Sequence, residues 1–477
     1  MSLPDQIDQI FAPFSDAVNA VIFFSIPVFG VKLPLVVVWL ISAAVIITVR
    51  LGFINLSGFK HAALLVLGRT PKVIESKGAE SKAAGEISHF EALSSALSGT
   101  VGLGNIASVP VAIVLGGPGA VFWMIIAGFF GMSSKFAECA LAVKYRRVRP
   151  DGSTIGGPMF YIEEVFSRRG LKTVGKFAAI FFAIMTMGAS VSVFQVNQSY
   201  AQFTSVTNIQ APLLYGVIIS TLVAIVIIGG IKSIAKVTRV LVPAMGGIYL
   251  TAGIIIILLN ITAVPGVITE IFQSAFGLQA AGGGFVGAII NGIQRATYSS
   301  EAGVGSAAIA HSAVRTNEPM TEGYVALLEP FIDTIVVCSI TALVILVTGA
   351  HLPFLNVDEG LRGIEMTSAA FEGTFSWYPY ILLVSVVLFA FSTLVTWAFY
   401  GSQAAIYLFG DTKVVDVTFK IVLCMLLSTG AAISLSSIVN FIDAMLFGMC
   451  IPNIIALYLL LPELKTDLTI YNGKYRA

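Results

Sequence analysis

Long apolar runs, repeated from about residue 33 to residue 461, constrain this chain more than any other feature. A helix of about 18–20 apolar residues crosses the ~30 Å hydrocarbon core of a bilayer, and backbone groups there must be satisfied within the protein. The chain is therefore expected to be an all-α polytopic membrane protein. Eleven spans can be drawn, near 33–50, 91–113, 119–143, 175–198, 211–230, 240–262, 284–309, 324–349, 376–408, 416–436 and 438–461. Only 11% of residues are charged against 57% hydrophobic, which excludes an ordinary soluble enzyme or a disordered chain. A net charge of +1 leaves no basic footprint for nucleic acid. Cys139, Cys338, Cys424 and Cys450 sit in or beside apolar runs without CxxC spacing and read as small hydrophobes. Residues 1–32 form a weaker amphipathic or interfacial segment without the charge and cleavage pattern of a signal peptide.

Charge orients the spans. Of 27 Lys and Arg residues, 23 fall in loops of one side: Arg50 to Lys82, Lys144 to Lys176, Lys232 to Arg239, Arg315, Lys413, Lys420 and the tail. Only Lys32 and Arg362 fall on the other side, while Lys135 and Arg295 lie within spans. The positive-inside rule then puts the C-terminus in the cytoplasm and the N-terminus outside. An even number of spans would spoil this alternation.

With the first span set aside, residues 91–262 and 263–461 each hold five spans. Five is odd, so the second block starts on the opposite side of the membrane, and the two blocks have inverted topology. Each opens with a glycine-rich, interrupted span. Residues 1–90 supply the N-terminal segment, the first span and its loop, and residues 462–477 a cytoplasmic tail. This is the pattern of a secondary transporter whose site lies where two broken helices meet.

The first interruption runs from Ser98 to Asn105 and has glycines at 99, 102 and 104. Each weakens a helix by about 1 kcal/mol relative to alanine. An opening there frees carbonyls for a cation and aims helix-end N–H groups at a carboxylate. The alternative is close helix packing through small residues. The second interruption, from Thr297 to Ser306, combines two glycines, several hydroxyls and Glu301, with Arg295 six residues before the acid. Ionisable groups inside a membrane face protein or a water path and pair, so an Arg295–Glu301 pair is one arrangement. Glu301 either holds the break by accepting backbone N–H bonds or touches the transported species, and it can be protonated in one state of a cycle.

Other polar residues supply side walls. Gln195 and Asn197 bond either a small polar substrate or a neighbouring helix. Ser392 and Thr393 suit a hard cation such as sodium, or bond back to their own helix. Trp397 either caps a small cavity or belongs to an interfacial belt. Lys135 and Glu138 are expected to pair or snorkel. Asp333 and Asp443 serve a network or a gate. No histidine pair has metal-ligand spacing, and the glycine-rich loop from Asp151 lacks a phosphate-loop lysine. Without a hydrolytic or ATPase motif the chain is read as no enzyme, and uphill transport must draw on an ion gradient.

An ordered series of blocks carries a resemblance. They are SGTVGLGNIASVPVAIVLGGPGAVFWM from Ser98, KFAECALAVKYR from Lys135, GGPMFYI from Gly156, SSEAGVGSA from Ser299, FIDTIVVC from Phe331, YLFG from Tyr407 and IPNIIAL from Ile451. Over about residues 33–461 the chain resembles the prokaryotic alanine or glycine:cation symporters. The resemblance implies a LeuT-like fold of two inverted five-helix repeats plus one N-terminal span. It implies uptake of a small neutral amino acid such as alanine or glycine, coupled to sodium or to protons in its place. The setting it implies is the lipid bilayer of the prokaryotic inner membrane, with no cofactor, nucleotide or nucleic acid.

Residue by residue, the likeness assigns Thr100, Gly102, Gly104 and Asn105 to the substrate or its sodium. It assigns the Ser98 and Val101 carbonyls, with Ser392 and Thr393, to a second sodium. Gln195, Ser299, Ser300 and Trp397 would line the amino-acid pocket, and Arg295 and Glu301 would gate or support it. Two departures bear on the substrate: the family's Ser-Asn before EAG is Ser299-Ser300 here, and its glutamate after Tyr-Gly is Ser402. Rival readings are a same-fold symporter for another solute, such as a nucleobase or a larger amino acid, and a channel or non-transporting sensor.

Overall fold

A computed structural model describes residues 3–28, 31–69, 84–277, 284–354 and 363–476. Lys72, Lys77, Lys82 and Arg362 of the charge count lie outside the described residues. Helices occupy each of the eleven expected intervals. Seven are long and apolar enough to cross a membrane, and His89–Thr100 with Leu103–Gly116 makes a bent eighth. Leu35–Arg50 and Pro212–Ile227 are apolar but have 16 residues each, about 24 Å of helix. The helix before the second interruption, Gly284–Ser300, has 17. Among the described residues, length and composition alone thus identify seven or eight spans, and the three shorter helices in the expected intervals fall below that length.

The buried apolar side chains form one large cluster and two smaller ones, around Tyr215 and Leu423 and around Ile87 and Ile231. Gly119–Lys144 packs on Gly284–Ser300, Pro319–Ala326 and Leu35–Arg50, so the third span touches both blocks. Tyr378–Phe409 packs on Lys172–Ser190, Gly230–Leu259 and His89–Thr100. Large apolar side chains such as Ile225, Ile228, Val240 and Val414 point outward and are exposed, which suits a surface bathed in lipid.

The basic loops gather at one end. Arg146 donates to the carbonyls of Ala84 (2.8 Å), Ser312 (2.9 Å) and Thr316 (2.6 Å). Arg149 pairs with Asp411, Arg239 with Glu91, Lys144 with Glu463 and Lys474 with Glu318. Each of these ties one basic loop or the tail to a segment that the alternation puts on the same side.

Three features differ from expectation. Residues 1–32 are not only interfacial: the helix Leu3–Ile22 docks on Leu435–Tyr475, where Ser15 Oγ donates to the Ser437 carbonyl (2.7 Å) and Phe11 meets Phe441 edge-on. A hairpin of Ser25–Val28 and Val31–Pro34 follows it. Short helices outside the expected intervals, among them Phe59–Val66, Pro158–Ser167, Val264–Phe276 and Gly363–Glu372, do not register as spans in an apolar-run count.

Helices approach closely where glycine allows it. A Cβ on Gly216 would stand 2.1 Å from the Ser428 carbonyl oxygen, at the contact of Pro212–Ile227 with Lys413–Thr429. A Cβ on Gly246 would meet nothing within 4 Å. Gly216→Val is expected to cost about 1–3 kcal/mol by forcing these helices apart. Gly246→Ala should leave stability unchanged or raised. Thermal unfolding of the detergent-solubilised protein checks this, and equal midpoints for both variants would show that the close approach is not needed.

Candidate functional site

The helix His89–Thr100 starts from a capping box in which Ser88 Oγ accepts from the Glu91 N–H and the Glu91 carboxylate accepts from the Ser88 N–H. It stops at Val101, and Gly102 is extended (φ −142°, ψ −152°) before the turn Leu103–Ile106 restarts the helix. The two halves meet at 49°. Space requires the glycine: a Cβ on residue 102 would lie 2.3 Å from Thr393 Oγ1. Side chains take up the freed N–H groups. Gly102 N–H donates to Asn105 Oδ1 (2.9 Å) and Leu103 N–H to Gln195 Oε1 (3.3 Å).

The carbonyl side of the break is stitched to Tyr378–Phe409. Thr393 Oγ1 donates to the Ser98 carbonyl (2.9 Å), Thr396 Oγ1 to the Ser95 carbonyl (3.2 Å) and Ser98 Oγ to the Ser392 carbonyl (2.8 Å). Ser392 Oγ donates within its own helix to Phe389 (3.0 Å). Across the break, Asn105 Nδ2 donates to Asp333 Oδ1 (2.5 Å) and to Ser299 Oγ (2.9 Å). Ser299 Oγ donates in turn to Asp333 Oδ2 (2.6 Å). Asp333 sits in a π-helical stretch, Phe331–Cys338, a backbone form frequent at functional sites.

The second break follows Gly284–Ser300. Glu301 has φ 53°, and Gly303 and Gly305 have φ 86° and 90°, so three left-handed residues interrupt the helix before Ala307–His311 resumes it. Asn453 Nδ2 donates to the freed Gly303 carbonyl (2.9 Å) and to Glu138 Oε1 (2.8 Å), and Tyr161 donates to Asn453 Oδ1 (2.5 Å). The Glu301 carboxylate accepts from Ser306 Oγ and from Trp397 Nε1 (3.0 Å). It thereby joins both halves of the broken helix to Tyr378–Phe409.

Thr100, Gly104, Gln195, Tyr298, Glu301 and Trp397 line a cavity of about 20 Å³ between the breaks. That volume is on the scale of one water, so an amino acid enters only as the walls separate.

Five expected residues thus share one cavity: Thr100, Gly104, Gln195, Glu301 and Trp397. Ser98, Ser392 and Thr393 meet as a second group, with Val101 at the break beside them. Asn105 and Ser299 belong to the knot on Asp333, Gly102 packs on Thr393, and Ser300 Oγ bonds back to the Ala296 carbonyl (2.9 Å). Two pairings need correction. Arg295 pairs with Asp443 and lies over the Tyr298 ring, not against Glu301, because the left-handed turn carries the acid away from the helix. Lys135 pairs with Glu329 (3.2 Å), while Glu138 is held by Asn453. Of the two readings of Asn197, the structure shows the bond to a neighbouring segment, to the Ile433 carbonyl (2.8 Å). Asp333, expected in a network or a gate, belongs to a network, although no spacing ties it to Asn105; Tyr298 and Asn453 carry no sequence signal as site residues.

The sequence model of the sodium:alanine symporter family matches residues 17–477. The sodium/alanine symporter AgcS of Methanococcus maripaludis is 38% identical over 441 residues, 92% of this chain and 94% of that protein. The probable sodium/glutamine symporter GlnT of Bacillus subtilis is 31% identical over 448 residues, 93% and 89% of the two chains. Among solved structures, MhsT in complex with L-phenylalanine aligns with a TM-score of 0.55 at 15% identity, over 82% of this chain and 100% of that one. A likeness at that identity concerns the fold, which is LeuT-like.

The knot around Asp333 predicts energetic coupling. Asn105→Ala leaves a buried carboxylate and the Gly102 N–H short of a partner, a cost of about 1–3 kcal/mol for each unsatisfied group. Asp333→Ala strands Asn105 and Ser299. The double variant should lose less stability than the two single losses added, by roughly 1–3 kcal/mol. Strict additivity in thermal unfolding would count against the knot.

Proposed function

The chain belongs to the sodium:alanine symporter family, a family of membrane transporters and not of enzymes, and from this premise we propose that it takes up a small neutral amino acid, alanine or glycine, with sodium. Cation-coupled amino-acid symport is what the family does; the particular amino acid is the proposal. The observation that carries it is the narrow cavity between the two breaks, walled by Tyr298 and Trp397 and edged by Thr100, Gly104, Gln195 and Glu301. With two aromatic rings beside so small a space, the walls need part least for a short side chain. A related protein named for glutamine, GlnT, makes the alternative a longer one.

In this reading the amino-acid carboxylate meets backbone N–H groups at Gly102 to Gly104, where helix-end dipoles favour an anion. A sodium ion takes the Ser98 and Val101 carbonyls with Ser392 and Thr393. Asn105, Ser299 and Ser300 shape the first break from the second, and Arg295 and Glu301 support the gate. Residues 91–262 and 263–461 act as inverted repeats, with the basic loops and C-terminus in the cytoplasm and the N-terminus outside. Sodium and the zwitterion enter together from outside and carry one net positive charge inward. At 100 mV that charge supplies about 2.3 kcal/mol. The broken helices then move against the remaining spans and open the site inward.

Proteoliposomes with sodium, proton and electrical gradients varied separately test the coupling. Sodium-driven alanine accumulation is expected, competed by glycine and serine far better than by glutamine. Stronger competition by glutamine would move the substrate to the longer side chain. Thr393→Val is expected to raise the sodium concentration for half-maximal uptake about tenfold, the effect of losing about 1.4 kcal/mol of ion binding. An unchanged sodium dependence in both Thr393→Val and Ser392→Ala would remove that assignment.

A further inference from the structure

A chain of ionisable side chains runs inward from the end where the basic loops gather. His89 Nδ1 contacts Glu322 Oε2, and the other oxygen of Glu322 lies 2.5 Å from His311 Nδ1. His311 Nε2 contacts Glu329 Oε1, and Glu329 Oε2 lies 3.2 Å from the Lys135 ammonium. Glu322, His311, Glu329 and Lys135 have no exposed surface, whereas one fifth of the His89 side chain is exposed. The residues come from both blocks. His89 begins the first broken helix and Lys135 lies on the third span; His311 ends the second broken helix, and Glu322 and Glu329 follow it.

The decisive atom count is at His311. Each of its ring nitrogens faces a carboxylate oxygen. A neutral imidazole offers one N–H and one lone pair, so one of the two contacts would set a lone pair against a carboxylate. Both contacts become hydrogen bonds only if one further proton is present, on the ring or on a carboxyl. The charges agree. Two carboxylates and one ammonium leave the buried row one negative charge out of balance, and one added proton neutralises it. Groups facing the row from outside do not supply that charge. Arg146 faces Glu322, but Glu138 faces Lys135 and Glu329, and Glu301 and Asp333 face Lys135. Tyr400, on Tyr378–Phe409, faces Glu301 and Glu329 with an uncharged hydroxyl. Cys139 brings a sulfur within 4.8 Å of His311 and Glu329, but a divalent ion there would meet the Lys135 ammonium.

We propose that His89, Glu322, His311, Glu329 and Lys135 form a proton-binding site that exchanges with the cytoplasm through His89 and clamps the inner halves of the two broken helices together. No bond to carbon forms or breaks: a proton enters at His89, passes by Glu322 and rests between His311 and its two carboxylates. Losing it leaves an unpaired buried charge at the junction of the two blocks, a loss of several kcal/mol. The two halves then cease to move as one body, so an alkaline cytoplasm slows transport. The cytoplasmic assignment and the uptake readout rest on the symport reading above; the proton count does not.

Right-side-out vesicles with interior pH stepped from about 6.5 to about 9.5, at fixed exterior pH, test the site. Wild-type alanine uptake is expected to fall at least about threefold over that range. Glu322→Gln replaces a carboxylate with an amide whose N–H satisfies the His311 lone pair, so the extra proton is no longer required. That variant should fold, keep uptake within about twofold at the acid end, and lose the dependence on interior pH. His311→Asn should lose it also. A wild type indifferent to interior pH, or a Glu322→Gln that falls alongside it, overturns the proposal. Vesicles with no sodium-driven uptake at all overturn the symport reading instead. The site is then decided by infrared titration of purified protein. One proton bound by wild type and missing from Glu322→Gln supports it, and equal binding overturns it.

Discussion

Everything in this fold answers to the cost of an unsatisfied backbone group in hydrocarbon. Two helices are broken at mid-chain positions, and each break frees N–H and C=O groups that neither lipid nor helix can satisfy. The fold meets this with side chains from the break itself and from distant spans. Asn105, within the break, and Gln195 accept from Gly102 and Leu103, Thr393 donates to Ser98, and Asn453 donates to Gly303. The bonds to Gln195, Thr393 and Asn453 also fix one span against another, so the breaks serve as points where the helices are held in register. The backbone ends that have such partners are held in place by them.

Charge inside the molecule follows the same logic. Arg295 has Asp443, Lys135 has Glu329, and Glu138 and Glu301 accept from Asn453, Trp397 and Ser306. A buried ion pair adds little net stability over an apolar pair, but removing one partner is costly. Such pairs select an arrangement more than they strengthen it. Two of these interactions, at Lys135 and Glu138, cross from one block to the other. The junction between the blocks is thus where alternative packings would strand a charge, and where the packing is most narrowly specified.

The legible part of the sequence was its periodic and compositional part. Apolar run length gave the positions of the helices, and glycine density gave the two interruptions near 98–105 and 297–306. Charge alternation picked out loops that do gather at one end. Pairings across the chain were not legible, since they depend on dihedrals at single residues. The left-handed backbone at Glu301 turns its carboxylate toward Trp397, and no spacing rule reveals that six residues from Arg295 is then too far. Asp333 was visible as an acid in an apolar run, but its bond to Asn105 joins residues 228 positions apart. Short helices such as Gly363–Glu372 escaped because an apolar-run count tests for length, and this one earns its place by packing: Thr367 donates to the Ile106 carbonyl (2.6 Å) and the Ile364 N–H to Gln198.

The two groups of bonds around the cavity differ in what opening would ask of them. The knot of Asn105, Ser299 and Asp333 lies among the second, seventh and eighth spans, which pack closely on the third. The Thr393–Ser98 and Trp397–Glu301 bonds instead join that group to Tyr378–Phe409. A cavity of about 20 Å³ admits an amino acid only if one set of walls moves, and the walls joined by separate hydrogen bonds, at Ser95, Ser98 and Glu301, can part bond by bond, whereas those sharing the Asp333 carboxylate cannot. Under the proposed coupling, the oxygens released by that parting are the ones a cation seeks. The Ser98 carbonyl and Thr393 hydroxyl, 2.9 Å apart when bonded to each other, can turn their lone pairs to sodium once the hydroxyl proton swings away. Closing the long helix onto the first break and binding the ion would then compete for the same atoms, which is how an ion comes to decide when a gate can move.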